Sequence, residues 1–154
     1  MRKILSMLLA LTATASLAFA ATETVNCGGV AILEANPKTG YHFVRWEKDG
    51  VQVSTSASYQ VTNIQADASY TAIFAPNTNT PYTVKHYQQN LDGTYPAVAT
   101  DVDNLTGTTG APTAAEAKSY TGFTKVNFDQ GTIAADGSTV ITINYTRNTY
   151  ALSW

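Results

Sequence analysis

"VAILEANPKTGYHFVRWEKDG", residues 30–50, decides the architecture. In an extended chain Val30, Ile32 and Glu34 fall on one side, with Ala31, Leu33 and Ala35 on the other. Asn36-Pro37-Lys38-Thr39-Gly40 then interrupts the run, because Pro fixes one dihedral and Gly permits a positive one. "YHFVRWEK" follows as a second strand. Asp49-Gly50 is the dipeptide that a two-residue hairpin turn selects. Working outward, residues 51–55 return as its partner. "YQVTNI" and "SYTAIF" supply two more strands, with Gln65-Ala66-Asp67 between them. Residues 21–75 therefore read as one small β module.

"APNTNTP" carries two prolines and nothing to bury, so residues 76–81 read as a linker. A second module spans 82–146. "YTVKHYQQ" is a strand with Tyr82, Val84 and His86 on one face. "NLDG" turns the chain, and "TYPAVATDV" is expected to return as the partner, at an edge because Pro96 lacks a donor. "NLTGTTGAP" reads as loop. "TAAEAKSY", residues 113–120, reads as a two-turn helix, with Thr113 as cap and Glu116 three residues later. "FTKVNF" is a short strand. Ala135-Asp136-Gly137 turns the chain into "STVITINYT", where Ile141, Ile143 and Tyr145 share a face. The order strand–strand–helix–strand–strand fits a β-grasp-like unit with one helix over its sheet. Residues 147–154 ("RNTYALSW") alternate again and read as the start of a truncated third repeat.

Residues 1–20 carry the marks of a secretory signal peptide. Arg2 and Lys3 lead an apolar run, and Ala18-Phe19-Ala20 is a small-x-small cleavage site. Thr12, Thr14 and Ser16 interrupt the run, which falls short of the ~20 apolar residues of a membrane span. No second apolar run follows. Without Arg2 and Lys3, two of the nine basic residues, the processed chain has 7 Lys+Arg against 11 Asp+Glu. A net charge of −4 with no basic patch excludes nucleic acid as a natural partner. The single cysteine, Cys27, cannot form an internal disulfide; a free thiol or a link to another chain is expected.

The second module, through "YTVKHYQQNLDGTY", "LTGTTGAPTAAEAKSYTGF" and "GTIAADGSTVITINYTRNTYALSW", resembles the bacterial internalin-type B-repeat (Listeria–Bacteroides repeat) and the related mucin-binding-protein repeat. The first module, through "NPKTGYHFVRW" and "ASYTAIF", resembles the divergent form of the same repeat. The resemblance implies tandem β-grasp-like modules on secreted or envelope-associated bacterial proteins, acting as spacers or binding surfaces and not as enzymes.

Chemistry-bearing clusters are sparse. His42 and His86 lie one per module with no second ligand at a useful spacing, and each reads as a surface or half-buried residue, so no metal site is expected. "DVDN" opens like a calcium loop, but Thr106 and Pro112 stand where Gly and Glu are needed. Glu34, Glu47 and Glu116 are too dispersed to form a glycosidase pair. Gly28-Gly29 lacks the Lys-Ser/Thr of a phosphate loop. Neither catalytic nor cofactor-binding residues are expected. Small β modules need large side chains for thin cores, so most aromatics are assigned to the interior. Tyr87 and Tyr95 are the candidate ligand surface.

The expected fold is mainly β: two small modules in tandem, the second β-grasp-like with one short helix, preceded by a signal peptide. The expected function is a non-catalytic spacer or stalk segment, its partners being neighbouring repeats or attached domains. The alternative is an adhesin module that binds a glycan or host protein.

Overall fold

The computed structural model describes residues 8–10, 17–20 and 25–154. The chain forms two compact units that divide between Pro76 and Asn77. Among the described residues there are strands and irregular segments but no helix. Among the described residues no helix is long and apolar enough to cross a membrane.

The first unit contains β1 (Leu8–Ala10), β2 (Leu17–Ala20), β3 (Gly29–Glu34), β4 (Tyr41–Lys48), β5 (Val51–Ser54), β6 (Ser58–Ile64) and β7 (Tyr70–Pro76). One sheet has the order β1-β2-β7-β4-β5; β3 and β6 pair as a second, two-stranded sheet. The hairpin at Asp49-Gly50 has the positive φ values, 51° and 80°, that its turn chemistry demands. Alternation in β3 runs as expected, with Ala31 buried between exposed Val30 and Ile32. In β4 strict alternation would place Phe43 and Trp46 on opposite faces. A register shift against β7 between Phe43 and Arg45 brings both to the core side. Their rings lie 5.7 Å apart, and Phe43 meets Phe74 edge-on at 5.9 Å. Trp46, Ala72 and Phe74 form the buried centre, with Leu33, Ala35, Tyr41, Phe43, Tyr59 and Tyr70 packed around it. The segment read as an export signal contributes β1 and β2; the rest of that assignment, residues 1–7 and 11–16, lies outside the described residues.

The second unit contains β8 (Thr80–Gln88), β9 (Asp101–Gly107), β10 (Phe123–Lys125) and β11 (Val140–Arg147) in the order β10-β11-β8-β9. Its first and last strands are central and parallel, with Ile141 opposite Val84 and Ile143 opposite His86. Tyr82, Val84, Ile133, Ile141, Ile143, Tyr145 and Ala115 make the core. Each large apolar side chain there contributes about 1.5–3 kcal/mol by leaving water. Of the linker 76–81, Pro76 ends β7 while Thr80 and Pro81 open β8.

Two expectations are corrected. The return strand is not "TYPAVATDV" but Asp101–Gly107, so residues 104–107, read as loop, are strand. Residues 89–100 form an excursion, closed where Asn90 N–H donates to Thr94 O (2.8 Å) and Thr100 N–H to His86 O (2.8 Å). Pro96, which has no N–H to give a ladder, lies within it.

The expected helix at Thr113–Tyr120 does not form. Its residues run extended across the sheet, and burial alternates: Thr113 and Ala115 in, Ala114 and Glu116 out. The N–H groups that would close a helix have found other acceptors. Ala114 N–H donates to the Tyr82 hydroxyl (3.1 Å), Ala115 N–H to Gln130 Oε1 (2.9 Å), and Lys118 N–H to the Tyr145 hydroxyl (2.8 Å). Gln130 Nε2 donates back to Ala115 O at 2.8 Å, so one carboxamide acts as a strand partner. Thr113 caps nothing helical: its hydroxyl donates to Gln130 Oε1 (2.6 Å) and accepts from Gly131 N–H (3.0 Å). Two helical turns gain little by themselves. Four fixed side-chain hydrogen bonds and the burial of Ala115 outweigh that propensity.

Candidate functional site

The chemically densest part of the molecule lies under this strap. β8 turns His86 inward beside Tyr82 and Val84, and the ring is fully buried. β9 turns Asp101 and Asp103 to the same side, because they are two residues apart on a strand. β11 brings Tyr145 in beside Ile143. The strap lays Lys118 over the two carboxylates.

His86 Nδ1 lies 2.8 Å from the Tyr145 hydroxyl, and Nε2 lies 3.1 Å from Asp103 Oδ2. Lys118 Nζ donates to Asp101 Oδ2 and Asp103 Oδ1, both at 2.6 Å. Lys118 N–H donates to the Tyr145 oxygen, the Tyr145 hydroxyl shares a hydrogen bond with His86 Nδ1, and His86 Nε2 bonds Asp103. The Lys118 ammonium then closes the ring on Asp103 and holds Asp101 as well. Among the described residues no buried side-chain polar atom lacks a partner. Tyr120 packs edge-on against Tyr145 at 4.8 Å.

The electrostatics follow from these contacts. Hydrogen bonds from Lys118 hold the Asp101 and Asp103 carboxyls below the usual carboxylate range. The same two carboxylates hold the Lys118 ammonium well above its ordinary value. Burial raises the Tyr145 and Tyr120 phenols. The acids of "DVDN" do converge on a cation, but that cation is the Lys118 ammonium. His86, read as surface or half-buried, is instead wholly interior. Both its nitrogens are engaged, by Tyr145 and Asp103. The arrangement is a clamp that ties the strap to three strands.

The strap also forms one wall of a shallow groove of about 770 Å³, lined by residues 115–120 with Phe123, Lys125 and Phe128. Arg147 lies over the Phe123 ring at 4.9 Å, as their paired positions on β10 and β11 dictate. Cys27 is exposed near Gln65, with Sγ 3.3 Å from Oε1. Among the described residues no cluster of His, Cys, Asp and Glu is arranged to hold a metal ion.

Tyr87 and Tyr95 are both half-buried. They do not sit on paired strands: Tyr87 is opposite Asn144, and Tyr95 belongs to the 89–100 excursion. Of the thirteen aromatic residues from Tyr41 to Tyr145, these two alone stand outside both hydrophobic clusters.

These geometries define a pair of small β units, each closed on its own core. Residues 8–78 match the family model described as the divergent InlB B-repeat domain. The match spans the first unit and supports the B-repeat resemblance carried by "NPKTGYHFVRW" and "ASYTAIF"; it suggests a surface-associated repeat protein. No curated protein matches the chain.

Proposed function

We propose that the chain is a non-catalytic repeat segment of a secreted or envelope-associated bacterial protein, exported by its N-terminal signal and serving as a spacer between attached domains. The observation that carries this reading is the pairing of a B-repeat match on residues 8–78 with two units that each keep most of their aromatics for their own interior. Stacked small modules give length without chemistry. The second unit is assigned to the mucin-binding-type repeat on the sequence resemblance already given. Its mixed sheet, with parallel central strands, is consistent with that assignment.

A second reading, an adhesin module for a glycan or host protein, is favoured by the two aromatics left outside the cores. Tyr87 and Tyr95 are its contact residues. A glycan array probed with the purified chain separates the readings. The spacer gives no saturable signal at millimolar ligand. The adhesin gives a signal that Tyr87→Ala and Tyr95→Ala abolish, and that result would reject the spacer.

A further inference from the structure

The strands through which the chain enters and leaves the second unit lie side by side. β8 opens at Thr80 and β11 closes at Arg147. They are parallel and in register over six pairs, from Val140↔Thr83 to Tyr145↔Gln88. Parallel neighbours place the entry at one end of their ladder and the exit at the other. Tension along the chain therefore draws β8 backwards and β11 forwards. The two must slide past each other, and all the bonds between them carry load together. Neither loaded strand is an edge, since β9 flanks β8 and β10 flanks β11. Further bonds reinforce the pair. Thr83 N–H donates to Thr139 O at 3.0 Å and Gln89 N–H to Tyr145 O at 2.9 Å, extending the ladder at both ends. His86 of β8 is bonded to the Tyr145 hydroxyl of β11 at 2.8 Å, and Arg147 N–H donates to Gln89 Oε1 at 3.1 Å.

The first unit is built the other way. Among the described residues each of its strand pairs is antiparallel. Where β2 lies on β7, Leu17 at the start of one faces Phe74 near the end of the other, so tension opens that pair from one end, a bond at a time. β3, the first strand after Cys27, pairs with β6 in a separate sheet, and no ladder joins it to β7, the strand through which the chain leaves. We propose that the second unit is the load-bearing element of the chain and the first its extensible element: under tension the first opens while the second holds. This deepens the spacer reading and rests on it, since only a segment stretched between attached domains is loaded along its length.

Single-molecule force spectroscopy on the full chain tests it. Thiol handles at Thr78→Cys and Thr149→Cys, in a Cys27→Ser background, load β8 against β11 in shear. Handles at Thr78→Cys and Ser138→Cys instead pull from the end that Thr83 and Val140 share, and peel the same ladder. All three positions are exposed. The unit under load is the same in both, so direction is what differs. Forced opening reads the unfolding rate, and shear must break several bonds at once, so the lifetime at fixed force is expected to be at least about tenfold longer in shear. Tyr145→Phe should shorten the shear lifetime and leave the peeling lifetime nearly unchanged, because its bond to His86 lies toward the far end of the ladder. Equal lifetimes in the two directions, or an equal effect of Tyr145→Phe on both, overturn the inference. Pulled between the native Cys27, which is exposed, and Thr149→Cys, the chain should open in two steps. The shorter step comes first: about 17 nm of extended chain for residues 28–76, against about 24 nm for residues 80–147. The longer step coming first also overturns it. A saturable glycan signal lost with Tyr87→Ala and Tyr95→Ala sinks the spacer reading, and with it the use of this load path, while the lifetimes stay as expected.

Discussion

Replacing Tyr145 by Phe removes a single oxygen from the centre of the second unit and tests the clamp directly. The ring stays, and with it the edge-on contact to Tyr120. Two hydrogen bonds go: the one accepted from Lys118 N–H and the one shared with His86 Nδ1. The strap amide is only partly buried and regains some water, so its loss costs about 1 kcal/mol, the usual net worth of a neutral hydrogen bond. His86 is fully buried and gains nothing in exchange, so its nitrogen is left dry at about 1–3 kcal/mol. The expected loss is about 2–4 kcal/mol, or about 10–25 °C in Tm for a unit of this size. In a Trp154→Phe background, which leaves Trp46 as the one tryptophan, urea unfolding followed by fluorescence reads the first unit, which should not change, and amide exchange in β8 and β11 reads the second. Tyr120→Phe is the control, since its hydroxyl lies 3.5 Å from Asp101 Oδ2, at the limit of a hydrogen bond. A loss below about 0.5 kcal/mol for Tyr145→Phe, within the range of ordinary surface changes, refutes the clamp. So does additivity with His86→Phe, because residues in one network should couple.

The remaining predictions follow from the same contacts. Asp101 and Asp103 have depressed pKa values when folded, so their contribution is complete above the unfolded value near ~3.9 and fades as pH falls through the folded ones. The second unit should therefore lose Tm below about pH 4, and Lys118→Met should flatten that acid limb by removing the cause of the depression; a limb as steep as the parent's in a pH–Tm series counts against the ion pairs. The raised phenols and ammonium act in the opposite sense, so stability present below about pH 10 is lost above it, readable in the same series. Trp46→Ala should cost the first unit about 3–5 kcal/mol and remove slow amide exchange in β4 and β7, leaving the second unit's exchange intact. Gly137 has φ +77° and its added Cβ would lie 2.8 Å from Pro81 Cγ, whereas Gly110 has φ +79° and open space. Both Ala variants incur the left-handed strain of about 1–2 kcal/mol, and Gly137→Ala should lose measurably more; equal losses would show that the Pro81 contact is relieved freely.

Most of the first unit was legible because its signals are local. Turn chemistry at Asn36–Gly40 and Asp49-Gly50 punctuates runs that bury one face, and the strand bounds follow. What alternation could not show was the register shift in β4, which comes from pairing with β7, distant in sequence. In the second unit the central strands were legible by the same rule, and His86 was already placed beside Tyr82 and Val84. A polar ring on a core face must find bonding partners. Asp101 and Asp103 at alternate positions, and Tyr145 on the face of Ile141 and Ile143, were the available signals. The helix was misread for a physical reason. "TAAEAKSY" has helical propensity and a capping pattern, but its small residues also suit a strap pressed on a sheet. The choice was made by Gln130, Tyr82 and Tyr145, none of them local.

The two units thus cover a sheet in different ways, and this bears on what a spacer can tolerate. The first closes its core with a second sheet and six aromatic rings, so its stability rests on apolar area and is insensitive to any single polar group. The second closes its core with an irregular strap whose backbone is bonded by three side chains, Tyr82, Gln130 and Tyr145, with Thr113 tying Gln130 and Gly131 in place. Apolar area under that strap is small, chiefly Ala115 and Ala117, so the hydrogen bonds and the Lys118 pairs decide whether it stays down. Acid, or loss of one hydroxyl, should therefore free the strap and the second unit while the first remains folded. If the two units instead melt together under every such perturbation, the separation into independently closed cores, on which the spacer reading depends, is wrong.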